Sequence, residues 1–292
     1  MVPVIFVLGI LAAIVSQYFN KKLLARHKAS VVVNTMYIWS ALLVTMIAFF
    51  FTQSVPVLLP VFLIGAFNAI GAWFFARGVH LSLSKTILFL PFINGLAVGL
   101  SALFLGEWAF FDFRTAPGAL VWVGVLATLG AITLFYKKSS TDRSQEQKDW
   151  LFALVGFVLV VGVINFLVNF FAVKGIPLIT YVTSWYIGGC AGSFVPRIVE
   201  RDWSLMRGKK VYAHSVLLSL CIVGSLSSVY YALLVYPATV LYPLQAFFYT
   251  LGAVMVGLYI FREARQVRKR DVIGMVVGGV GAICLLLGYY LQ

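Results

Sequence analysis

The chain has 292 residues, of which 62% are hydrophobic and only 11% are charged, and its net charge is +13. A soluble globular protein has about a quarter charged residues, so this composition excludes a soluble domain and indicates an integral membrane protein. The basic residues fall in short clusters between apolar runs and form no continuous basic face. We therefore expect no nucleic-acid partner.

Ten apolar segments are long enough to cross a bilayer as helices, which needs about 20 residues each. Lipid offers the backbone no hydrogen-bond partners, and barrel strands would be short and alternating, so the segments predict α-helices. The predicted fold is an all-α integral membrane protein with ten transmembrane helices. In chain order, spans one to ten are Val2–Phe19, Val31–Phe51, Val57–Ala76, Thr86–Leu105, Ala116–Tyr136, Trp150–Ala172, Ile176–Val195, Val211–Val235, Ala238–Phe261 and Val272–Leu291.

The first span lacks a basic leading region and a small-residue cleavage site, so we interpret it as a membrane helix and not as a removable signal. Cys190, Cys221 and Cys284 lie within apolar segments and show no CxxC spacing. We interpret them as small buried hydrophobes. Neither a metal site nor a cofactor is expected.

The basic residues predict an orientation in the membrane. Twenty of the 22 Lys and Arg residues lie in or beside the connections that follow odd-numbered spans, against Arg114 and Lys174 on the other side. The positive-inside rule places the odd-numbered connections on the cytoplasmic side of the cell (inner) membrane. With ten spans, both termini then face outward.

The two halves of the chain resemble each other, with a first five-helix repeat over 1–136, a polar connection over 137–149 and a second repeat over 150–292. An odd number of spans in each repeat inverts the second copy, which is typical of transporters with a substrate site near mid-membrane. The spacing between matched positions differs, so the alignment of span four with span nine needs a gap of about one helical turn. The matched positions are Phe74-Phe75-Ala76 with Tyr230-Tyr231-Ala232, Glu107 with Glu263, Gly118 with Gly274, and Trp39 with Trp185.

Two stretches of the chain share one pattern. Phe74–Tyr136 contains Thr86-Ile-Leu-Phe-Leu-Pro91, then Leu105-Gly-Glu107 and a Gly-spaced span, and Tyr230–Leu291 is similar but ends its ninth span with Phe261-Arg-Glu263. The pattern resembles the end of the repeat in the drug/metabolite transporter superfamily, EamA type. The resemblance implies a ten-helix inverted-repeat permease for small metabolites, with spans five and ten peripheral. Members usually keep both termini in the cytoplasm, whereas the basic residues here predict the reverse.

Polar side chains inside spans are costly in lipid, and they tend to face a cavity or another helix. Asn165 and Asn169 are one turn apart and must share a face of span six. A single Asn favours helix–helix hydrogen bonding, whereas polar groups in the first helices of both halves favour a cavity. Aromatic walls suit amphipathic organic ligands. The candidate substrate-binding residues are Gln17, Asn20, Trp39, Asn68, Trp73, Asn94, Asn165, Asn169, Trp185, Tyr231, Tyr242, Gln245 and Tyr249.

Pro91 and Pro243 lie in the matching spans four and nine. A proline inside a helix removes a backbone donor, and in a membrane helix it is often a tolerated kink. The functional interpretation is that both prolines are hinges for alternating access.

The charged residues limit the substrate class. Glu107 and Glu263 are the only acidic residues that we place near spans, and the absence of a mid-span carboxylate argues against a proton-coupled exchanger. The absence of a mid-span Lys or Arg argues against sugar-phosphate substrates. We therefore predict a secondary transporter of small neutral or zwitterionic metabolites, amino acids or related solutes, which works by alternating access in facilitated export or exchange.

The alternatives are a lipid scramblase or channel-like protein and, less favoured, an intramembrane enzyme, for which no nucleophile–base motif is evident. The expected partners are a small-molecule substrate and the lipid bilayer. The oligomeric state is left open, and a monomer is compatible with the sequence.

Overall fold

The computed structural model describes residues 2–81, 83–87, 89–106, 112–135, 145–262 and 269–291. Within these ranges the chain forms α-helices and one π-helical turn, and no β-strand occurs there, so the all-α prediction is confirmed. The helices are α1 (Val2–Leu24), α2 (Ala29–Thr52), α3 (Leu59–Leu81), α4 (Leu83–Ile87), α5 (Leu90–Leu105), α6 (Ala116–Phe135), α7 (Gln145–Val173), α8 (Leu178–Gly192), α9 (Phe194–Glu200), α10 (Lys209–Leu233), α11 (Ala238–Met255), the π-helical turn Val256–Ile260, and α12 (Lys269–Tyr290).

Six helical segments are long and apolar enough to cross a membrane. They are α1, α2, α3, α10, the Lys148–Val173 part of α7, and Leu241–Ile260, which comprises most of α11 and the π-helical turn. The first helix exposes Val4, Leu8 and Leu11, while its buried face carries Gln17 and Asn20. Apolar residues outside and polar residues inside are what a lipid solvent favours. The chain is a multi-pass membrane protein.

Span four is divided, although the sequence predicts one helix over Thr86–Leu105. The helix α4 ends at Ile87, Phe89 forms a turn, and α5 begins at Leu90. Pro91 stands in the first turn of α5, where a backbone N–H has no intrahelical partner to lose. Pro243 lies inside α11, where it removes an intrahelical donor. The expected loss of a backbone hydrogen bond therefore applies to Pro243 and not to Pro91, and the hinge role of both stays a prediction.

Span seven continues beyond its predicted end at Val195. The helix α8 ends at Gly192, Ser193 makes a turn, and α9 carries the helical path on to Glu200. The predicted polar connection over 137–149 is also shorter than expected, because α7 already begins at Gln145. Glu107 and Glu263 lie outside the described residues.

The two predicted repeats share one core. The principal packing pairs between the predicted repeats are α1 with α10, α3 with α7, α3 with α8, α2 with α8, α2 with α10, α5 with α7, α5 with α11, α1 with α11, and α6 with α12. Within the repeats, the most extensive packing is that of α2 on α3 and of α11 on α12. The helices α6 and α12 pack mainly on each other.

The backbones of α3 and α8 come close enough that only glycine fits between them. A Cβ atom at Gly188 would overlap the carbonyl oxygen of Phe62, and one at Gly192 would overlap that of Ala66. On the other helix, a Cβ atom at Gly65 would overlap the carbonyl oxygen of Trp185. Small residues spaced four apart commonly allow such close contact between membrane helices. The glycines thus bring the two halves together at this seam.

Several connections meet at one end of the bundle, which we call the basic end. The Nζ of Lys21, at the end of α1, donates to the carbonyl oxygen of Val79, near the end of α3, at 2.7 Å. The Nζ of Lys28, before α2, lies 3.4 Å from Oδ2 of Asp202, after α9. The basic end therefore joins the connections that follow α1, α3 and α9.

Candidate functional site

One face of α11 carries three polar side chains, which we call the α11 stripe: Tyr242, Gln245 and Tyr249. Their spacing of three and four residues places them on the same side of the helix. Tyr242 is almost fully buried, whereas Gln245 and Tyr249 are half-buried. Pro243 lies within the stretch of α11 that carries the stripe, directly after Tyr242.

The first end of the stripe is bound to two asparagines from other helices. The Tyr242 hydroxyl donates to the Asn165 carbonyl oxygen at 2.5 Å, and Asn94 Nδ2 donates to the Tyr242 carbonyl oxygen at 2.9 Å. Asn165 Nδ2 in turn donates to Asn94 Oδ1 at 3.2 Å. These three residues link α5, α7 and α11, so three of the predicted site residues form one hydrogen-bonded group.

The other end of the stripe contacts α1. Gln17 Nε2 donates to the Tyr249 hydroxyl oxygen, and also to Ser16 Oγ at 3.1 Å. The Gln17 Oε1 atom is buried and accepts no hydrogen bond from the part of the chain that the structure describes. A buried acceptor of this kind calls for an explanation, and a bound solute or water is one.

Gln245 lies between these two groups, about one helical turn from each. Its amide makes no hydrogen bond to any described residue, and it is only half-buried. The stripe therefore has two ends that are held by protein partners and a middle whose donors and acceptor are available. An amide offers two donors and one acceptor oxygen to a neutral or zwitterionic solute.

Three aromatic side chains of α8 and α10 pack together: Tyr181, Trp185 and Tyr230. The rings of Tyr181 and Tyr230 stack with their centroids 3.9 Å apart, and the ring of Trp185 lies 5.6 Å from that of Tyr181. The Tyr181 hydroxyl is buried and has no hydrogen-bond partner among the described side chains and backbone. Trp185 is thus part of an aromatic cluster, to which Tyr181 adds an unpaired polar atom, and the role of Trp185 in lining a substrate site stays a prediction.

Two of the remaining predicted site residues bond to partners outside the stripe. Asn68 Nδ2 donates to the Tyr37 hydroxyl oxygen at 2.7 Å, and Asn169 Nδ2 donates to Ser101 Oγ at 3.1 Å. Both contacts are helix–helix hydrogen bonds. Three further residues have no hydrogen bond to their side chains within the described ranges: Asn20, which is buried, and Trp39 and Tyr231, which are half-buried.

Trp73 belongs to a different region. Its Nε1 donates to Glu200 Oε1 at 2.6 Å, and the other oxygen of this carboxylate accepts from the Ser30 hydroxyl at 2.6 Å. Close by, Arg197 is only 3% exposed, and its Nη1 donates to Asn34 Oδ1 at 3.2 Å. We call Ser30, Asn34, Trp73, Arg197 and Glu200 the basic-end cluster.

Sequence reasoning missed Arg197 and Glu200 because it ended span seven at Val195 and left both residues in a connection. They are three positions apart, so a helix that runs past Val195 places them near one face. That spacing was the available signal. The expectation that Glu107 and Glu263 are the only acidic residues near spans is therefore corrected, because Glu200 contacts α2 and α3.

The neighbouring Asp202 lies just after α9, and its side chain is half-buried. The Ser204 backbone N–H, 2.9 Å from Oδ1, is the main cause that lowers the pKa of Asp202, and the Ser204 hydroxyl and the Lys28 ammonium add to it. Among the described residues, no three His, Cys, Asp or Glu side chains come together as a group that could hold a metal ion.

No protein-family model matches the sequence, and no curated protein matches it. Solved structures do share the fold. One, described only as "Crystal structure of protein", covers 99% of this chain and 99% of its own with a TM-score of 0.67 at 15% identity. At that identity the likeness shows the fold alone.

Proposed function

We propose that the protein is a secondary transporter of the drug/metabolite transporter type, with ten membrane spans arranged as two inverted repeats. It moves small neutral or zwitterionic metabolites, amino acids or related solutes, by alternating access in facilitated export or exchange. The observation that carries this proposal is the packing between the repeats, whose principal helix pairs map onto one another when the two repeats are exchanged.

The exchange pairs each span with the one five places later. It turns α1 into α7, α2 into α8, α3 into α10, α5 into α11, and α6 into α12. The packing of α1 on α10 then becomes that of α7 on α3, α3 on α8 becomes α10 on α2, and α5 on α7 becomes α11 on α1. The pairs α2 with α8, α5 with α11, and α6 with α12 become themselves. A carrier built from inverted repeats has this property, because the exchange relates its two access states.

The polar contacts of the stripe follow the same exchange. Asn94 of α5 meets Asn165 of α7, and Tyr249 of α11 meets Gln17 of α1, so both contacts join a fourth span to the first span of the other repeat. They flank Gln245, whose amide has no matching amide in α5. This difference between the halves supports a site for an asymmetric solute.

The side chains of the stripe are all uncharged. A carboxylate or phosphate of a strongly anionic substrate would need a cationic partner. Amide and phenol groups suit neutral groups and the internally compensated charges of a zwitterion, with aromatic side chains contacting its apolar part. The odd-numbered connections then face the cytoplasm by the positive-inside rule, and the termini face outward.

Uptake into proteoliposomes tests the proposal. Purified protein should move members of a panel of radiolabelled neutral amino acids and related metabolites, and the panel should raise its melting temperature by mass action. Gln245→Ala should slow uptake roughly tenfold, the effect of losing one good hydrogen bond to the solute. The matched control is Ser228→Ala, since the Ser228 hydroxyl is half-buried and bonds only to Gly224 of its own helix.

Three results would count against the proposal. Uptake that is insensitive to Gln245→Ala, in a variant that folds, would remove the stripe from the substrate site. Movement of a fluorescent phospholipid between the leaflets of the same vesicles would favour the scramblase alternative. Passage of solutes without saturation would favour a channel.

A further inference from the structure

The basic-end cluster joins the two repeats through a carboxylate that has both oxygens engaged. Glu200 Oε2 accepts from the Ser30 hydroxyl at 2.6 Å and from the Ser30 backbone N–H at 3.4 Å, and Oε1 accepts from Trp73 at 2.6 Å. Ser30 lies in the first turn of α2 and Trp73 about two turns before the end of α3, whereas Glu200 ends α9. One side chain of the second repeat thus ties down two helices of the first.

The guanidinium of Arg197 makes a second connection between the repeats. It donates to Asn34 Oδ1 at 3.2 Å, to the Asp202 carbonyl oxygen at 3.1 Å and to the Ser204 carbonyl oxygen at 2.6 Å. The Asn34 amide also donates to Ser193 Oγ at 2.9 Å. A buried cation is stable only when its donors are paired. Loss of any of these hydrogen bonds while Arg197 stays buried would therefore cost free energy.

Among the described residues, those that align with Arg197 and Glu200 in the first repeat form no such cluster. Trp39 and Trp185 mark the alignment of spans two and seven, and the same alignment places Arg197 opposite Phe51 and Glu200 opposite Ser54. Phe51 is 74% exposed, and Ser54 is exposed beyond the end of α2. The repeated fold therefore forms without this cluster in one of its two copies, and the cluster is an addition at one end.

We propose that the basic-end cluster is a latch that holds this end of the bundle closed, and that access to the stripe from the basic end requires the Glu200 and Arg197 contacts to break. Opening that end would move α8 and α9 away from α2 and α3, which these contacts join. The proposal rests on the proposed alternating-access transport, and it assigns Arg197 and Glu200 a role in setting which side is open.

A buried reporter next to the cluster can test the latch directly. The Ser219 hydroxyl of α10 donates to the Met36 carbonyl oxygen of α2 at 2.9 Å, two residues beyond Asn34. Ser219→Cys in a background with Cys190→Ala, Cys221→Ala and Cys284→Ala gives one buried thiol. A membrane-impermeant thiol reagent is added on the side of the membrane that the basic end faces. The rate at which this thiol reacts measures how often the basic end of the bundle opens. Lys28→Cys, at a position that is 63% exposed, identifies which side of the vesicle that is.

Two variants weaken the latch while they keep its shape. Glu200→Gln replaces one acceptor oxygen by an amide nitrogen, and Trp73→Phe removes the indole donor. Each should raise the labelling rate of Ser219→Cys from the basic end roughly tenfold, the change that loss of a charge-assisted hydrogen bond gives. The control is Arg207→Gln, which removes an exposed charge from the same segment and should change the rate by less than about twofold.

The latch is refuted if Glu200→Gln and Trp73→Phe leave labelling unchanged. It is also refuted if labelling rises equally from both sides, because that result means general loosening of the bundle. Should Glu200→Gln fail to fold, Trp73→Phe and Ser30→Ala give the same test. Labelling needs no substrate. If Glu200→Gln and Trp73→Phe raise the labelling rate but the wild type transports no solute, the proposed function is refuted and the latch is not.

Discussion

The α11 stripe and the basic-end cluster are both polar groups inside an apolar bundle, yet they are built in opposite ways. The stripe is neutral, and its central amide has no partner among the described residues. The cluster is charged, and the three guanidinium nitrogens of Arg197 and both oxygens of Glu200 are engaged. Burying an unpaired charge costs far more than burying an unpaired amide. In these two groups, the charged side chains therefore make fixed contacts, whereas a neutral amide remains available for a ligand.

The largest effect should come from the cluster. Arg197→Ala leaves Asn34 Oδ1 and the Asp202 and Ser204 carbonyl oxygens without their donor, and we expect it to lower the free energy of unfolding by about 3 kcal/mol. Thermal unfolding in detergent, followed by tryptophan fluorescence, measures this. Arg207→Ala, at an exposed residue of the same segment, is the control and should have little effect. Equal melting temperatures for the two variants would show that Arg197 is dispensable.

The seam between α3 and α8 should respond next. Gly188→Ala places a methyl group against the Phe62 carbonyl oxygen, and we expect a cost of about 2 kcal/mol from overpacking. Because α8 leads into α9, the same variant should also raise thiol labelling at the basic end. Gly95→Ala is the matched control, since a Cβ atom there has open space within α5. If Gly95→Ala destabilises the protein as strongly, helix packing at Gly188 is not the cause.

The stripe should show the opposite balance between stability and transport. Asn165→Ala removes one neutral hydrogen bond to Asn94, so we expect it to lower the free energy of unfolding by only about 1 kcal/mol. Uptake should nevertheless slow markedly, because the variant releases the group beside Gln245. Parallel measurements of melting temperature and uptake check this. A variant with unchanged uptake would separate Asn165 from the substrate site.

The smallest effect should be the pH response of Asp202. Its pKa is lowered in the folded protein, so its contribution to stability is present above the pKa of the unfolded chain and is lost as pH falls through the folded value. The melting temperature of the wild type should therefore decline slightly more than that of Asp202→Asn between neutral pH and about pH 3. Identical declines in melting temperature would mean that the contacts of Asp202 with Ser204 and Lys28 do not stabilise the folded protein.

The helices and the stripe could be predicted because both depend on local patterns. Long apolar runs predicted the helices, and the spacing of Tyr242, Gln245 and Tyr249 predicted their common face. The basic-end cluster could not be found this way, because its contacts join Arg197 and Glu200 to residues more than 120 positions earlier in the chain. A hydropathy pattern also ends a span at its first charged residue. It carries no information about the acceptor that Asn34 of α2 provides for Arg197. The break before Pro91 was missed for a related reason, since an apolar run gives no sign of where one helix ends and another begins.

The buried position of Arg197 has a consequence for how the protein is made. Synthesis proceeds from the N-terminus, so Asn34, which precedes Arg197 by 163 residues, enters the membrane long before it. The acceptor for the guanidinium is therefore already in place when α9 leaves the ribosome. In the proposed orientation Arg197 stays on the side of synthesis and never crosses the bilayer, so insertion avoids the cost of moving a cation through lipid. Docking of α9 onto α2 would then be a late step of biogenesis, one that cannot precede insertion of the first half.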